Sequence, residues 1–303
     1  MKRKIVLIMA FVMLAGIMIF FVNKQGYPDL YLPMPGEEVP HVTYTLKIDT
    51  SDLPEQILVY KFVEPGNPLA GTNKISNIFG IEGEIKEQNV IKGYFVKGEN
   101  KNLQYYSESG KWDVCLDEAE EGYPTEECTI SKEEAIKISK NFLTKYNLLL
   151  PEFNTVVASE RSQGSKLTGD YKLIGYGVYF YPKVNGLKVY GVSRIIVEVR
   201  GEGKVVRVCK YYKEVEPYKI AKLKPVRDAL SELTNNKALV NIPSEATSAS
   251  IEKIELAYWE DAGSIEEQPY LQPVYVFTGT TIIDGKVCTF NAFVPAIEGV
   301  SVR

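Results

Sequence analysis

Alternation of apolar and polar residues along four successive segments constrains the fold of this chain more than any other feature. The segments are Thr155–Ser159, Leu173–Tyr181, Lys188–Arg200 and Lys204–Tyr212. A period of two residues is typical of strands with one buried face. Asn185-Gly186 and Gly201-Glu202-Gly203 are tight-turn signals that favour antiparallel hairpins between these strands. We therefore expect an antiparallel sheet in this part of the chain.

A helix is predicted immediately before these strands. Ser131 and Glu134 have the spacing of a capping box, in which each side chain hydrogen-bonds the other residue's backbone. Pro151 prevents the helix from continuing further. The apolar positions between them repeat every three or four residues, which places them on one buried face: Ala135, Ile138, Phe142 and Tyr146. The predicted order of elements is therefore one helix followed by four strands.

A similar order is predicted closer to the C-terminus. Leu223–Leu233 has the pattern of a helix, and Asp284-Gly285 is a hairpin turn signal. Strands are predicted over Glu252–Trp259, Pro273–Gly279 and Lys286–Val294. The shared order leads to the hypothesis that the unit is duplicated.

The segment before residue 129 predicts a smaller unit. Residues 42–48 alternate like a strand, and Gln56–Val63 is a second β-rich run. Asn73–Phe79 is predicted to be a short helix that ends at Gly80. A meander is expected over Val90–Val96, Leu103–Ser107 and Lys111–Cys115.

The first residues predict a membrane anchor. Met1-Lys2-Arg3-Lys4 precedes eighteen apolar residues, Ile5–Val22, which would rise roughly 27 Å as a helix. Basic residues before such a helix favour a cytoplasmic N-terminus. Because no small-x-small site follows, a cleaved secretory signal is the less favoured alternative. We therefore expect a single-pass cell-membrane protein with residues 23–303 outside the cytoplasm.

The predicted organisation has six parts. A proline-rich stalk and an acidic linker separate the anchor and the folded units. The parts are the anchor 1–26, the stalk 27–40, a small α+β domain 41–116, the linker 117–128, an α+β domain 129–217 and a second such module 218–303.

The charge of the chain excludes broad nucleic-acid binding. There are 35 basic and 39 acidic residues, and the formal net charge is −4. A nucleic-acid-binding surface needs clustered positive charge to neutralise phosphates. The 20 tyrosines fall mostly in alternating runs, where aromatic residues pack well in strands.

Four cysteines would allow disulfides in an oxidising compartment. Pairing Cys115 with Cys128 and Cys209 with Cys288 is favoured among three possibilities, and free buried thiols are the alternative. The spacings do not match a zinc site, because His41 is the only histidine available beside them.

Catalytic motifs are scarce in the sequence. A serine or cysteine hydrolase would have to use His41, and no G-x-S-x-G segment is present. Residues 201–204 contain a Gly-Lys pair but lack P-loop spacing, so a hairpin turn is predicted there. Trp259-Glu260-Asp261 is the most suggestive cluster, because a sugar could stack on the indole beside two acids. Our favoured interpretation places Trp259 in the core and Glu260-Asp261 at the start of a polar loop that ends at Gly263.

The acidic linker raises the question of a calcium site. Six carboxylates lie between residues 116 and 127, around Gly122 and Pro124. Their order does not match the alternating ligand spacing of an EF-hand loop. A solvated connection is the favoured interpretation.

The segment Ser131-Lys132-Glu133-Glu134-Ala135, with its helix and the hairpins that follow, resembles a PepSY-type domain of exported bacterial proteins. The resemblance covers about residues 129–215 and, more loosely, 218–297. With the anchor included, the chain also resembles the YycH and YycI accessory proteins, which restrain a sensor kinase. This resemblance implies an α+β fold of helices on antiparallel sheets and a binding or regulatory role.

The sequence therefore predicts a noncatalytic, membrane-tethered protein that binds a membrane or cell-envelope protein and contacts lipid through residues 5–22. Sensor modulation and protease inhibition are two versions of this role. The alternative is a cell-wall carbohydrate hydrolase with paired carboxylates. No catalytic, cofactor-binding or metal-ligating residue is assigned, and no cofactor is expected.

Overall fold

The computed structural model describes residues 26–32, 42–47, 53–122, 127–164 and 169–302. These residues form seventeen strands and four helices, one of them a single turn. The helices are α1 (Pro68–Phe79), α2 (Glu118–Gly122), α3 (Lys132–Lys145) and α4 (Val226–Thr234). Strands account for 49% of the described residues and helices for 15%, so this part of the protein is mostly β.

Eight strands form one antiparallel sheet. Its first half is β3 (Ile85–Gln88), β4 (Gly93–Lys97), β5 (Asn102–Tyr106) and β6 (Trp112–Cys115). Its second half is β7 (Thr155–Gly164), β8 (Tyr171–Tyr181), β11 (Arg194–Arg200) and β12 (Lys204–Tyr211). The halves join because β6 pairs with β12, which gives the order β3-β4-β5-β6-β12-β11-β8-β7. Each half is a four-stranded unit preceded by one helix, α1 or α3.

The start of α3 confirms the predicted capping box. The Ser131 hydroxyl accepts a hydrogen bond from the Glu134 amide at 3.2 Å, and the Glu134 carboxylate accepts one from the Ser131 amide at 2.8 Å. Ala135 and Leu143 are fully buried against the eight-stranded sheet, and Phe142 packs on the same core. The polar cap therefore determines where α3 begins, and the apolar face of α3 determines which side of the helix packs on the sheet.

Nine strands form the second sheet, and they come from distant parts of the chain. They are β1 (Thr43–Leu46), β2 (Gln56–Phe62), β9 (Lys183–Val184), β10 (Leu187–Gly191), β13 (Val215–Lys222), β14 (Leu239–Asn241), β15 (Ser248–Glu260), β16 (Tyr270–Ile283) and β17 (Lys286–Pro295). Six strands follow one another in the order β13-β2-β16-β15-β10-β9. In addition, β1 pairs with β15, β17 pairs with β16, and β14 pairs with β17. Only β1 and β10 run parallel to their neighbour β15 among the described strand pairs.

Both faces of the nine-stranded sheet are buried. Tyr258 and Tyr275 face a core that includes residues of α4, whereas Trp259 and Val274 face a second core on the other side. Leu30 belongs to that second core and is 1% exposed. The described start of the predicted stalk, residues 27–32, therefore packs on this sheet through Tyr27, Leu30 and Leu32.

The predicted fold class is wrong. We expected a transmembrane helix and helix-on-sheet modules of the PepSY type, whereas the chain forms two large, mainly antiparallel sheets with few helices. The prediction failed because an alternating pattern identifies strands without identifying their partners. Strands that were expected to close separate modules instead pair across them, as β2 does with β13.

The predicted membrane topology is also corrected. The apolar segment 5–22 lies outside the described residues, and within the described ranges no helix is both long and apolar enough to cross a bilayer. The single-pass topology, the anchor and the extracytoplasmic placement of residues 23–303 therefore have no support in the structure.

Candidate functional site

A groove separates α1 from the loop that follows α3, above the line where the two halves of the eight-stranded sheet meet. We call it the helix groove. It has a volume of about 500 Å³. Residues from α1, from β6 and from the chain after α3 line it, among them Ile78, Trp112 and Tyr146. Each half of the sheet carries its own helix, and Phe79 at the end of α1 packs on Phe142 of α3 and on Tyr146 beside the groove.

A second cavity adjoins the helix groove where the two sheets approach each other. We call it the junction cavity, and its volume is about 270 Å³. Leu150, Tyr212 and Glu214 line both spaces, so the two are neighbours, and we refer to them together as the cleft. The walls of the junction cavity are largely apolar, with Phe153 and Tyr212 rings whose centroids lie 4.6 Å apart.

Four charged side chains meet beside the junction cavity, and we call them the buried quartet. Lys111 precedes β6 and Lys213 follows β12, whereas Glu260 ends β15 and Asp261 follows it. The eight-stranded sheet thus supplies both lysines, and the nine-stranded sheet supplies both acids. All four residues are buried, and the Lys213 side chain is 0% exposed.

Glu260 is the best-satisfied member of the quartet. Its Oε1 atom lies 3.0 Å from Lys111 Nζ and accepts a hydrogen bond from the Lys213 backbone amide at 3.1 Å. The Ser193 hydroxyl is a further hydrogen-bond partner. Buried carboxylates are tolerated when they are paired and hydrogen-bonded in this way.

Lys213 is much less well satisfied. Its Nζ atom lies 3.7 Å from Asp261 Oδ1 and 4.6 Å from the centre of the Phe62 ring. Among the described residues, Nζ has no hydrogen-bond partner. Asp261 also accepts a hydrogen bond from the Gly263 amide at 2.9 Å, which holds its carboxylate in the turn after β15.

Burial shifts the pKa of two members of the quartet. Burial, followed by repulsion from Lys111, lowers the pKa of Lys213 to about 8. Burial also raises the pKa of Glu260, although the nearby lysines oppose this shift.

The residues considered as an alternative sugar site are separated by the strand that carries them. Trp259 lies on the opposite face of β15 from Glu260 and packs on Phe293, with ring centroids 5.2 Å apart. It is 6% exposed, so it offers no stacking surface. The favoured interpretation, with Trp259 in the core and a polar turn ending at Gly263, agrees with these contacts.

The other sequence candidates do not join this site. His41 lies outside the described residues. Residues 201–204 form the predicted hairpin turn between β11 and β12, with Gly201 and Gly203 at positive φ. All four cysteines are free, so the favoured disulfide pairing is not formed.

The described part of the acidic linker is docked on the eight-stranded sheet by ion pairs. Asp117 pairs with Lys204, Glu118 with Lys97, and Glu121 lies 2.7 Å from Arg207. No group of three or more potential metal ligands occurs within the described ranges. The acids act here as partners of basic side chains.

Sequence reasoning missed both lysines of the quartet. Lys111 and Lys213 sit at strand ends among polar residues, where most lysines are solvated. Nothing in the local pattern distinguishes them, because their burial depends on contact between two sheets.

Comparisons with known proteins add little to this description. No protein-family model and no curated protein matches the chain. The structure is similar to the crystal structure of an uncharacterized protein from Eubacterium rectale, with 10% sequence identity and a TM-score of 0.40. The match covers 82% of this chain and 85% of that chain. This similarity is too low to support an argument about function.

Proposed function

We propose that this chain is a noncatalytic binding protein that holds an extended segment of a partner protein in the cleft. The observation that carries the proposal is that the helix groove and the junction cavity lie side by side and share Leu150, Tyr212 and Glu214 as lining residues. Together they present a concave lining of apolar and aromatic side chains with charged residues among them. Such a shape suits a chain segment that inserts several side chains in succession.

The aromatic lining supports a peptide ligand. Tyr146 lies half-buried along the helix groove and Tyr212 half-buried along both spaces, whereas Trp112 and Phe153 belong to the buried core beneath them. Aromatic side chains dominate the binding energy of protein interfaces, because they bury large areas with little loss of side-chain freedom. A partner segment with apolar or aromatic side chains would fit this lining.

Charged side chains at the cleft would set the register of the ligand. Lys210 and Glu214 form an ion pair at 3.1 Å, and the Glu214 side chain is 68% exposed. Lys74 contributes a second positive charge from α1. Rim charges of this kind contribute more to specificity and to the association rate than to affinity.

The quartet argues for binding over glycoside hydrolysis. A hydrolase needs two acids that face one substrate, one as acid and one as nucleophile or base. Glu260 is instead held by Lys111, the Lys213 amide and Ser193, and Asp261 is held by Lys213 and the Gly263 amide. Both carboxylates thus hold the two sheets together.

A peptide-display selection on the intact chain tests the proposal. Leu150→Trp places an indole where the two cavities meet and should block the cleft. Leu69→Trp is the matched control, because Leu69 lies on α1 with 43% of its surface exposed. Circular dichroism and a thermal melt would verify that both variants fold.

We expect enrichment of peptides rich in aromatic and aliphatic residues. These peptides should bind the original chain and the Leu69→Trp variant alike and bind the Leu150→Trp variant at least about tenfold more weakly, a loss of about 1.4 kcal/mol. Absence of enrichment, or equal binding to both variants, would refute the proposal.

A further inference from the structure

We propose that β7 is a dimerisation edge, at which the same strand of a second copy of this chain pairs antiparallel with it. Among the described strands, β7 pairs only with β8, so its other side presents backbone N–H and C=O groups without a strand partner. An extended backbone is the ligand that matches such an edge. β7 lies at one end of the eight-stranded sheet, whereas the cleft lies over its middle, so the inference does not depend on peptide binding.

β7 differs from the other described edge strands because it is long and unprotected. Four of the others have only two to four residues, namely β1, β3, β9 and β14. The fifth, β13, has eight residues but contains Pro217 and a bulge beside it. By contrast, β7 has ten residues without proline or lysine, and its bulge follows Arg161. Short length, proline, lysine and bulges are devices that prevent edge pairing, so the run from Thr155 to Arg161 is open to a partner strand.

The side chains of this run are compatible with a second copy of β7. In a two-fold arrangement centred on Ala158, Val157 lies opposite Ser159 of the second copy, and Glu160 lies opposite Val156. Opposite residues then share a face of the sheet, as antiparallel pairing requires, and no like charges face each other. Val157, which is 46% exposed, becomes covered. The two-fold pairing occupies both β7 edges, so the assembly closes at two chains.

α3 carries opposite charges along the side that lies toward the β7 edge. The helix packs over β7 and β8. Ile138 and Phe142 turn away from β7, toward Gly203 in the β11–β12 turn and toward Phe79 of α1. By the 3.6-residue repeat, Glu133 and Lys140 fall on the opposite side of the helix, which lies toward β7. The acid is therefore near the start of α3, and the base is two turns further along.

These charges complement those of a second copy. Glu160 of β7 lies at the same end as Glu133, since both carboxylates add to the effect of burial in raising the pKa of Tyr176. Lys140 lies toward Thr155, because the chain leaves α3 and soon enters β7. The two-fold axis reverses the second copy, so its two acids come to the Lys140 end of the first copy, and the same contact forms on the other side of the axis. This complementarity favours a second copy over an unrelated strand.

Cysteine crosslinking on the intact chain tests this inference. Cys288→Ser removes the cysteine that is not buried, and Ser159→Cys then adds an exposed thiol to β7. Isotopically light and heavy chains would be mixed and treated with a bismaleimide whose spacer spans about 8 Å, the separation of diagonal neighbours on paired strands. Peptide mass spectrometry would identify crosslinks between a light and a heavy peptide, which form only between two chains. Ile220→Cys, on the protected edge strand β13, is the matched control because Ile220 is 68% exposed.

We expect light–heavy crosslinks at position 159 in at least about tenfold higher yield than at position 220. Association through any other part of the chain would not favour position 159. Adding Val157→Lys, which places a charge on the edge, should lower the yield at position 159 at least about tenfold, whereas adding Ile220→Lys should leave it unchanged. Equal yields at the two positions, or absence of light–heavy crosslinks at position 159, would overturn the inference.

A charge swap tests the two-fold arrangement in the same assay. Lys140→Glu should lower the crosslink yield at position 159, because acids of the two copies would then face each other. Adding Glu133→Lys and Glu160→Lys to that chain should restore the yield. An unchanged yield in the Lys140→Glu chain would overturn the arrangement. None of these results bears on peptide binding, which uses a separate assay.

Discussion

Removal of the Glu260 charge should destabilise the protein far more than removal of an equally close surface charge. Glu260 and Lys111 lie 3.0 Å apart with side chains 2% and 8% exposed. With an effective dielectric constant near 20, the attraction at this distance is about 5.5 kcal/mol, and desolvation of both ions offsets much of it. Glu260→Gln removes a negative charge that faces two buried lysines. Loss of one partner of a buried ion pair typically costs about 3–5 kcal/mol of stability.

Lys222 and Glu298 provide the matched control, since their charged atoms are also 3.0 Å apart but their side chains are 70% and 55% exposed. Exposed ion pairs contribute at most about 1 kcal/mol, so Glu298→Gln should change stability little. Urea denaturation at pH 7 would give the free energy of unfolding of both variants. A loss below about 1 kcal/mol for Glu260→Gln, or equal losses in the two variants, would refute the account of the quartet.

Three further predictions concern Lys213, the helix cap and one turn. Because the folded state lowers the pKa of Lys213 to about 8, the unfolded chain binds more protons between pH 8 and 10. The free energy of unfolding of the original chain relative to Lys213→Met should therefore rise with pH in that window, by at most about 1.4 kcal/mol per pH unit. A difference in the free energy of unfolding that does not change with pH would contradict this. Ser131→Ala removes the cap of α3 and should cost about 1 kcal/mol in the same assay, whereas Ser109→Ala, in a turn, should cost less. Gly203→Ala should destabilise the protein more than Gly285→Ala. Both glycines have positive φ, but only at Gly203 would the new Cβ lie 2.7 Å from Ile138 Cδ1. Equal melting temperatures of the two variants would contradict that reasoning.

Local features of the fold could be predicted from the sequence. The capping box at Ser131 forms, and α1 ends at Gly80, whose φ is +61°. The hairpin signals Asn185-Gly186 and Asp284-Gly285 lie between β9 and β10 and between β16 and β17, with all four residues at positive φ. These signals succeed because capping and tight turns depend on residues a few positions apart.

Long-range pairing could not be predicted in the same way. The pairing of β6 with β12 joins residues about ninety positions apart, and alternation alone does not specify this partner. The pairing of β2 with β13 likewise links the predicted N-terminal domain to the chain beyond residue 214. The fold class was wrong because these contacts decide how many sheets form.

The candidate site was only partly visible in the sequence. The sequence singled out Glu260 and Asp261, and the favoured interpretation correctly placed Trp259 in the core, since strand alternation sends the indole to the other face of β15. Lys111 and Lys213 gave no signal, because their burial results from the approach of two sheets. The cleft is a tertiary feature for the same reason, since α1 and the loop after α3 line it from opposite sides.

Methyl NMR with a peptide from the display selection is the most direct measurement of the central claim. Isoleucine and leucine methyl signals would be followed during titration of the labelled chain. The account predicts shifts at Ile78, Leu150 and Ile195, which line the cleft, and unchanged signals at Ile220 and Ile282, which are 68% and 70% exposed elsewhere. Shifts confined to Ile220 or Ile282, with the cleft methyls unchanged, would contradict the assignment of the cleft as the binding site.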